Sequence, residues 1–247
     1  MQLLVSVSNE AEACAAREGG ADIIDAKDPH AGALGAVSLE TFRRIQSIGS
    51  TTRPVSAALG DATDEGTIER LAHEYATAGA AFVKIGFAGI EDVSRVRSLI
   101  TSAIAGARRA GPRVHRAGPL GPAVGVVAVA YADSMPSTLT LDTVLDTASM
   151  AGASGVLVDT AHKTGPGLRS LIDGDTLARW ISRAHDAGLT AAVAGKLTID
   201  DLEWARDSGA DIAGVRGAAC ENGRTSRITV DRVRQLRAAV AVRLAQV

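Results

Sequence analysis

Four lysines stand out in this chain because lysine is otherwise absent from it. The sequence has 26 basic residues, and all are arginine except four: Lys27, Lys84, Lys163 and Lys196. Arginine is effectively always protonated, whereas a lysine can lose its proton and act as a nucleophile or a base. These positions are therefore candidates for amine chemistry. The alternative is a purely cationic phosphate site, which arginine would serve equally well.

Amine chemistry at neutral pH requires a lowered lysine pKa, because the free side chain has a pKa of about 10.4. Crowding of ammonium groups or burial of one lowers the pKa and increases the amine fraction. Asp25 precedes Lys27 by two residues, and Asp159 precedes Lys163 by four. Each carboxylate is expected either to shuttle protons during imine formation or to neutralise a buried cation. Asp61 and Asp133 are weaker candidates.

A repeated sequence motif indicates which helices and strands position these residues. Four helix-like stretches end in Gly-Ala plus one small or acidic residue, and a short apolar run follows, at Gly20, Gly79, Gly152 and Gly209. Glycine with positive φ commonly ends a helix, and the following runs are too short and β-branched for another helix. The intervals between these glycines correspond to two βα units each.

The complete pattern alternates eight strands with eight helices. Strands are predicted near 2–6, 22–27, 54–59, 81–86, 123–131, 155–160, 190–195 and 211–216. Helices are predicted near 9–18, 38–48, 64–78, 91–108, 139–150, 175–187, 198–207 and 229–245. The pattern predicts an α/β protein with one domain over 1–247, folded as a (β/α)8 TIM barrel. A doubly wound open sheet is the alternative, but no G-x-G-x-x-G follows a strand. The Gly-, Pro- and Arg-rich segment 111–122 predicts a longer loop before strand five.

A barrel would bring the lysines together, because catalytic groups lie at the carboxyl ends of its strands. Lys27 ends predicted strand two, and Lys84 lies near the end of strand four. Lys163 and Lys196 follow strands six and seven. Strand alternation also places Asp25 on the same face as Lys27.

Small-residue loops after strands seven and eight predict a phosphate site at the same end of the barrel. The residues concerned are Gly195, Lys196, Arg216, Gly217 and Ala218. Small residues let the backbone approach an anion, and the two cations would add charge. A second small-residue loop, 32–36, follows strand two and is a further candidate anion site.

Composition limits the other classes of function. A net charge of −2 predicts neither a nucleic-acid nor a membrane partner. The N-terminus lacks a signal-type pattern and the two cysteines are far apart, which favours a reduced, cytoplasmic protein. The five histidines show no metal-binding spacing, so no metal is expected. Cys220 is interpreted as a small filler residue. The composition allows a homo-oligomer.

Four motifs carry a family resemblance: IIDAKDPHAGALGA, FVKIG, VLVDTAHKTG and GVRGAACENGR. With them the sequence resembles, essentially from end to end, the (5-formylfuran-3-yl)methyl phosphate synthase family. The same enzyme is also called 4-(hydroxymethyl)-2-furancarboxaldehyde phosphate synthase, of methanofuran biosynthesis. The sequence departs from the family pattern at Ala33, where serine is common.

The resemblance implies a cofactor-free β/α-barrel lyase that condenses two molecules of glyceraldehyde 3-phosphate. It implies that Lys27 forms an imine with the substrate and that Lys84 accepts a proton. Asp25, Asp159 and Lys163 match further active-site positions of the family. The remaining alternatives are another class I aldolase or sugar-phosphate isomerase, and a non-catalytic sugar-phosphate sensor that would tolerate arginine at all four lysines.

Overall fold

The computed structural model of the chain describes residues 1–241 except 50–52, 62–63, 112–122, 135 and 137. Within that part, eight parallel strands alternate with eight α-helices and close into a barrel in chain order. The strands are β1 (Gln2–Val7), β2 (Ile23–Ala26), β3 (Val55–Asp61), β4 (Phe82–Gly86), β5 (Gly125–Tyr131), β6 (Gly155–Asp159), β7 (Thr190–Val193) and β8 (Ile212–Val215). The helices are α1 (Glu10–Gly19), α2 (Leu39–Gly49), α3 (Glu65–Thr77), α4 (Val93–Arg109), α5 (Leu141–Ala151), α6 (Gly174–Asp186), α7 (Asp201–Asp207) and α8 (Val230–Ala241). The predicted TIM barrel is confirmed.

Local sequence explains where the helices begin and end. At five helix starts of the described chain, the side chain of the N-cap residue accepts a hydrogen bond from a first-turn backbone amide; these residues are Asn9, Asp64, Asp92, Thr140 and Asp173. The glycines of the repeated sequence motif have positive φ values, which are 91° at Gly20, 97° at Gly79, 81° at Gly152 and 90° at Gly209. That left-handed conformation favours glycine because it has no Cβ. The interpretation of the repeat as helix ends is confirmed.

Two apolar layers hold the barrel together. One lies between the sheet and the helices and includes Phe42, Ile45 and Leu99. The other consists of inward-facing residues of the strands, such as Leu4, Ile23, Phe82, Val127, Leu157 and Ile212. Because both faces of every strand are covered, the strands are apolar nearly throughout.

The predicted boundaries differ from the structure mainly at β7 and α7. Strand β7 ends at Val193 because Gly195 and Lys196 both adopt positive φ, 107° and 59°. Helix α7 begins at Asp201, since Thr198 donates to the Asp201 carboxylate in a turn before the helix. Two 3₁₀ turns, Leu168–Ser170 and Gly217–Ala219, were not predicted.

Two predictions fall on residues outside the described part of the chain. They are the loop at 112–122 and the last turn of helix eight after residue 241. Among the helices of the described ranges, none combines the length and the apolar character needed to cross a membrane.

Candidate active site

A cavity of about 400 Å³ lies at the carboxyl ends of the strands and extends into the barrel. All four lysines of the sequence line it, together with Asp159 and the loops after β7 and β8. The lysines come from four separate βα units, so only barrel closure brings them together. The structure therefore places them on one face, as the strand pattern predicted.

Asp25 and Lys84 form a buried ion pair on the inner face of the sheet. Lys84 Nζ lies 2.6 Å from Asp25 Oδ2, and the two side chains are 5% and 0% exposed. Ser6 and Ser56 donate to Asp25 over 2.8 and 2.7 Å. Ser6 and Ser56 are the register partners of Asp25 on β1 and β3, so the three side chains share one level of the barrel.

These contacts keep Asp25 ionised. Burial acts to raise the pKa of its carboxyl, but the ammonium groups of Lys84 and Lys27 and the hydrogen bonds outweigh that effect. The pKa of Asp25 therefore lies below its ordinary value. Sequence reasoning missed both serines, although a serine within an apolar strand is a signal for a polar group inside the barrel.

Asp159 and Lys163 form a second pair at the end of β6. Lys163 Nζ lies 2.8 Å from Asp159 Oδ1, and it also donates to the carbonyl of Thr160. Asp159 further accepts from the Thr160 amide over 2.7 Å. Burial acts to raise the pKa of Asp159, but Lys163 and Lys27 lower it overall. Asp133 supports this loop by accepting from the amides of residues 161 and 162.

Lys27 lies between the two ion pairs, and the environment of its amine differs from that of Lys84 and of Lys163. Its Nζ donates no hydrogen bond to any other residue that the structure describes, while its backbone amide donates to Val7 and extends the β1–β2 ladder. The residue is 8% exposed. Burial is the main cause that lowers the pKa of Lys27 to about 8, and the cations of Lys84 and Lys163 add to it. About a tenth of the amine is then neutral at pH 7.

The small-residue loops reach the same cavity. Gly195, Lys196, Gly217 and Ala218 all line it. Lys196 is exposed, and its Nζ donates to the carbonyl of Gly165 across the cavity rim. It is the most solvated of the four lysines.

Arg216 lines the cavity as predicted, and its guanidinium also forms a buried ion pair that the sequence did not predict. Its guanidinium pairs with buried Glu12 over 2.8 and 3.1 Å and also donates to the carbonyls of Ser6 and Arg224. Burial requires such a partner, since an unpaired buried cation is strongly unfavourable. The predicted contact of Arg216 with a phosphate stays a prediction. Glu12 lies 204 residues away, so spacing could not reveal it.

Arg224 is a cation at the cavity that sequence reasoning did not single out. It lines the cavity and donates to the carbonyls of Pro29 and Gly32 over 2.8 and 3.2 Å. It thus joins the loop after β8 to the small-residue loop after β2.

Cys220 is buried nearby, and burial raises the pKa of its thiol, which fits the interpretation as a filler residue.

A further polar contact lies at the ends of β3 and β5. The buried Tyr131 hydroxyl donates to Asp61 Oδ1 over 2.8 Å, and burial and the Asp61 carboxylate raise the tyrosine pKa. A Cβ at Gly86 would lie 2.2 Å from Asp61 Oδ1, so only glycine fits there. Asp61, Tyr131 and Gly86 are not among the residues that line the lysine cavity, so Asp61 stays a weaker candidate than the two buried aspartates.

The sequence model of one family, described as 4-HFC-P synthase, matches residues 3–237. The chain belongs to the 4-HFC-P synthase family. A (5-formylfuran-3-yl)methyl phosphate synthase of Methanopyrus kandleri is 35% identical over 244 residues, which cover 97% of this chain and 99% of the relative. The Methanosarcina barkeri enzyme of the same name is 35% identical over 241 residues, covering 96% and 97%. A Streptomyces griseus relative is 34% identical over 227 residues, covering 90% and 87%. The resemblance inferred from the four motifs is confirmed.

Solved structures show the same architecture at much lower identity. A 3-hexulose-6-phosphate synthase is 20% identical with a TM-score of 0.64, and the match covers 98% of this chain and 100% of the synthase. The KGPDC of Streptococcus mutans is 16% identical with a TM-score of 0.65, covering 97% and 96%. At these identities the likeness shows the fold alone.

Proposed function

We propose that this protein condenses two molecules of glyceraldehyde 3-phosphate into (5-formylfuran-3-yl)methyl phosphate. The overall reaction balances when one phosphate and two water molecules are released. Family membership supports the product class, since the relatives described above are (5-formylfuran-3-yl)methyl phosphate synthases. The use of glyceraldehyde 3-phosphate and the lysine chemistry are our proposal, and the geometry of Lys27 is its main support.

The observation that carries the proposal is the environment of Lys27. Its amine is buried, makes no hydrogen bond to another described side chain, and has a pKa of about 8. The two neighbouring lysines are each bound to a carboxylate. Lys27 is thus the amine available to attack a carbonyl carbon, and the cations around it favour its neutral form.

The first covalent step forms an imine. The Lys27 nitrogen attacks the carbonyl carbon of a triose phosphate, a proton moves from nitrogen to oxygen, and water leaves as the C=N bond forms. The protonated imine withdraws electrons and acidifies the adjacent carbon. Aldol-type joining to the second triose, phosphate elimination, cyclisation and dehydration then lead to the furan.

Two lysine–carboxylate pairs flank Lys27 and supply proton transfer. Lys84, beside Asp25, is proposed as the proton carrier during isomerisation of one triose phosphate: as a neutral amine it accepts a proton from carbon, and as the resulting ammonium, paired with Asp25, it returns that proton. Lys163, held by Asp159, is proposed to deliver and remove protons on the opposite side. Both carboxylates have lowered pKa values, so they act as anions that hold ammonium groups in place.

The substrate phosphates would bind at the mouth of the cavity. Gly195, Gly217 and Ala218 leave space for an anion near the backbone, and Lys196 and Arg224 add positive charge. The Gly195 conformation, with φ of 107°, is one that a residue with a side chain rarely adopts.

Trapping with borohydride tests the imine. Incubation with glyceraldehyde 3-phosphate or dihydroxyacetone phosphate and sodium borohydride should add one triose phosphate to Lys27, as located by peptide mass spectrometry. Lys27→Arg should abolish the adduct and the product, whereas the matched Lys196→Arg variant should keep both. An active Lys27→Arg enzyme would overturn the covalent mechanism.

Product analysis separates the remaining alternatives. Glyceraldehyde 3-phosphate alone should yield an ultraviolet-absorbing furan aldehyde phosphate and free phosphate. An adduct at Lys27 with no furan product would instead identify another class I aldolase. Binding without an adduct or turnover would identify a sugar-phosphate sensor.

A further inference from the structure

The lysine cavity continues below the lysines into the interior of the barrel. Its lining includes Phe82, Thr190 and Ile212, the first residues of β4, β7 and β8. Its upper end is lined by Gly195 and Gly217, beyond the carboxyl ends of β7 and β8. At about 3.3 Å per strand residue, the cavity extends roughly 13 Å along β7. We call the part below the lysines the inner chamber.

Small residues on two neighbouring strands create this chamber. Ala192 of β7 and Gly214 of β8 line it, where TIM barrels usually carry bulky branched side chains. The opposite wall is bulky and apolar, with Val127 and Leu157. The interior is therefore filled on the side of β4 to β6 and open on the side of β7 and β8.

The chamber is chemically unlike the mouth above it. Its walls are mainly apolar, with Thr190 as a polar side chain at the start of β7, whereas the charged groups of the site, Asp25 and Lys84 among them, lie further along the strands toward the mouth. A triose phosphate, with a hydroxyl or carbonyl on every carbon that lacks phosphate, gains little from such walls. A flat ring of low polarity would bury its whole carbon surface there.

We propose that the inner chamber binds the furan ring of the nascent product, with its phosphate at the loops after β7 and β8. This inference rests on the proposed function and adds to it a binding site for the ring. Lys27 lines the same cavity above the chamber, so the ring would form beside its amine. Apolar walls exclude water, which favours the dehydrations that create the ring.

Two substitutions would fill the chamber from its small-residue side. Gly214 does not have a positive φ, and a Cβ there would lie 3.3 Å from Ala194 Cβ and 3.6 Å from Leu4 Cδ2. Gly214→Val and Ala192→Leu each place added carbon atoms inside the chamber. Ala192→Ser is the matched control, because it changes the same position with almost no added volume.

The probe is furan-2-ylmethyl phosphate, which has the ring and the phosphate but no aldehyde and cannot form an imine. Its affinity is compared by calorimetry with that of glycerol 3-phosphate, which has the phosphate and no ring. In the parent protein the furan probe should bind at least about tenfold more tightly, the factor that burial of roughly two methylene-sized groups supplies. Gly214→Val and Ala192→Leu should remove the preference and keep glycerol 3-phosphate affinity, and Ala192→Ser should keep the preference.

Equal affinity of the two probes in the parent protein would overturn the chamber as a ring site. An unchanged preference in whichever filling variant retains the parent melting temperature would overturn it as well. Borohydride trapping at Lys27 in the same variants separates this inference from the proposed function. The adduct should form in every variant, and loss of the preference with a retained adduct assigns the effect to the chamber.

Discussion

The two lysine–carboxylate pairs beside Lys27 have the same chemistry on different supports. Asp25 and Lys84 lie on strands β2 and β4, 59 residues apart, and both are almost fully buried. Asp159 and Lys163 are four residues apart at the start of a loop, and the Lys163 side chain is 13% exposed. The first pair depends on barrel closure, and the second can form from local sequence.

The remaining partners of each pair sharpen the difference. Asp25 is held by two serine hydroxyls from neighbouring strands, so the position of Lys84 is set by three strands at once. Lys163 also donates to the carbonyl of Thr160, within its own loop. We expect the strand pair to act as a rigid electrostatic element, and the loop pair to adjust as ligand enters.

Removal of the strand lysine should have the largest effect. Lys84→Met leaves the Asp25 carboxylate buried without its cation, which lowers the free energy of unfolding by about 3–5 kcal/mol. Furan formation should fall by roughly 10²- to 10⁴-fold, the usual contribution of a general base. Urea unfolding and steady-state assays measure the two effects.

A double variant serves as the control for that result. Asp25→Leu combined with Lys84→Met removes both charges and should recover much of the lost stability without recovering activity. Full activity in either variant would show that the strand pair has no part in proton transfer.

The loop lysine should matter less for stability. Lys163→Met should lower the free energy of unfolding by only about 1–2 kcal/mol, because Asp159 keeps the hydrogen bond from the Thr160 amide and the Lys163 side chain is already partly exposed. Activity should fall by about 10²-fold, since a proton-transfer group is lost. A stability loss equal to that of Lys84→Met would contradict the claim that the strand pair contributes more to stability than the loop pair.

The pH dependence of kcat/KM tests both ion pairs, because their charges act on the pKa of Lys27. Its neutral form is the nucleophile, so kcat/KM should rise with pH and level off above the pKa of about 8. The ammonium groups of Lys84 and Lys163 lower that pKa, and the aspartates raise it. Lys84→Met and Lys163→Met should therefore each move the midpoint of the pH profile above 8. The residual kcat/KM of each variant, measured over a range of pH, tests this. A midpoint that moves down would contradict this electrostatic account.

Loss of a serine hydroxyl should have a smaller effect. Ser56→Ala removes one of the hydrogen bonds that lower the pKa of Asp25 and should cost about 1 kcal/mol of stability. Activity should change by less than about tenfold because Lys84 and Ser6 still hold the carboxylate. Ser47→Ala, at an exposed position of α2, is the matched control and should leave both quantities unchanged.

The smallest effect is expected at the exposed lysine. Lys196→Arg keeps the positive charge at the cavity rim, so kcat should stay the same and KM should change by less than about threefold. Initial rates at varied substrate concentration measure this. A large drop in kcat would place Lys196 among the groups that react with substrate.

Local sequence was sufficient to predict most of the fold. The Gly-Ala repeats mark helix ends because glycine alone adopts positive φ without strain, and apolar runs mark strands covered on both faces. The turns after β7 were less predictable. Lys196 adopts a left-handed conformation there, which its residue type does not suggest.

The candidate site was predictable in part. The four lysines were found because they are rare, and rarity is visible in a single sequence. The ion pair of Arg216 with Glu12 could not be predicted, since Glu12 comes from the other end of the chain. Arg224 was missed because no spacing links it to the lysines, although it ends the motif GVRGAACENGR. The two serines were missed although each stands in an otherwise apolar strand.

The sequence by itself determined the barrel and the set of amines, through periodicity, glycine positions and the contrast between lysine and arginine. Only the tertiary structure made those amines unequal. Burial and the field of neighbouring charges lower the pKa of Lys27, while carboxylates bind Lys84 and Lys163. These effects depend on distances between residues that are far apart in the chain, and such distances exist only once the barrel has closed.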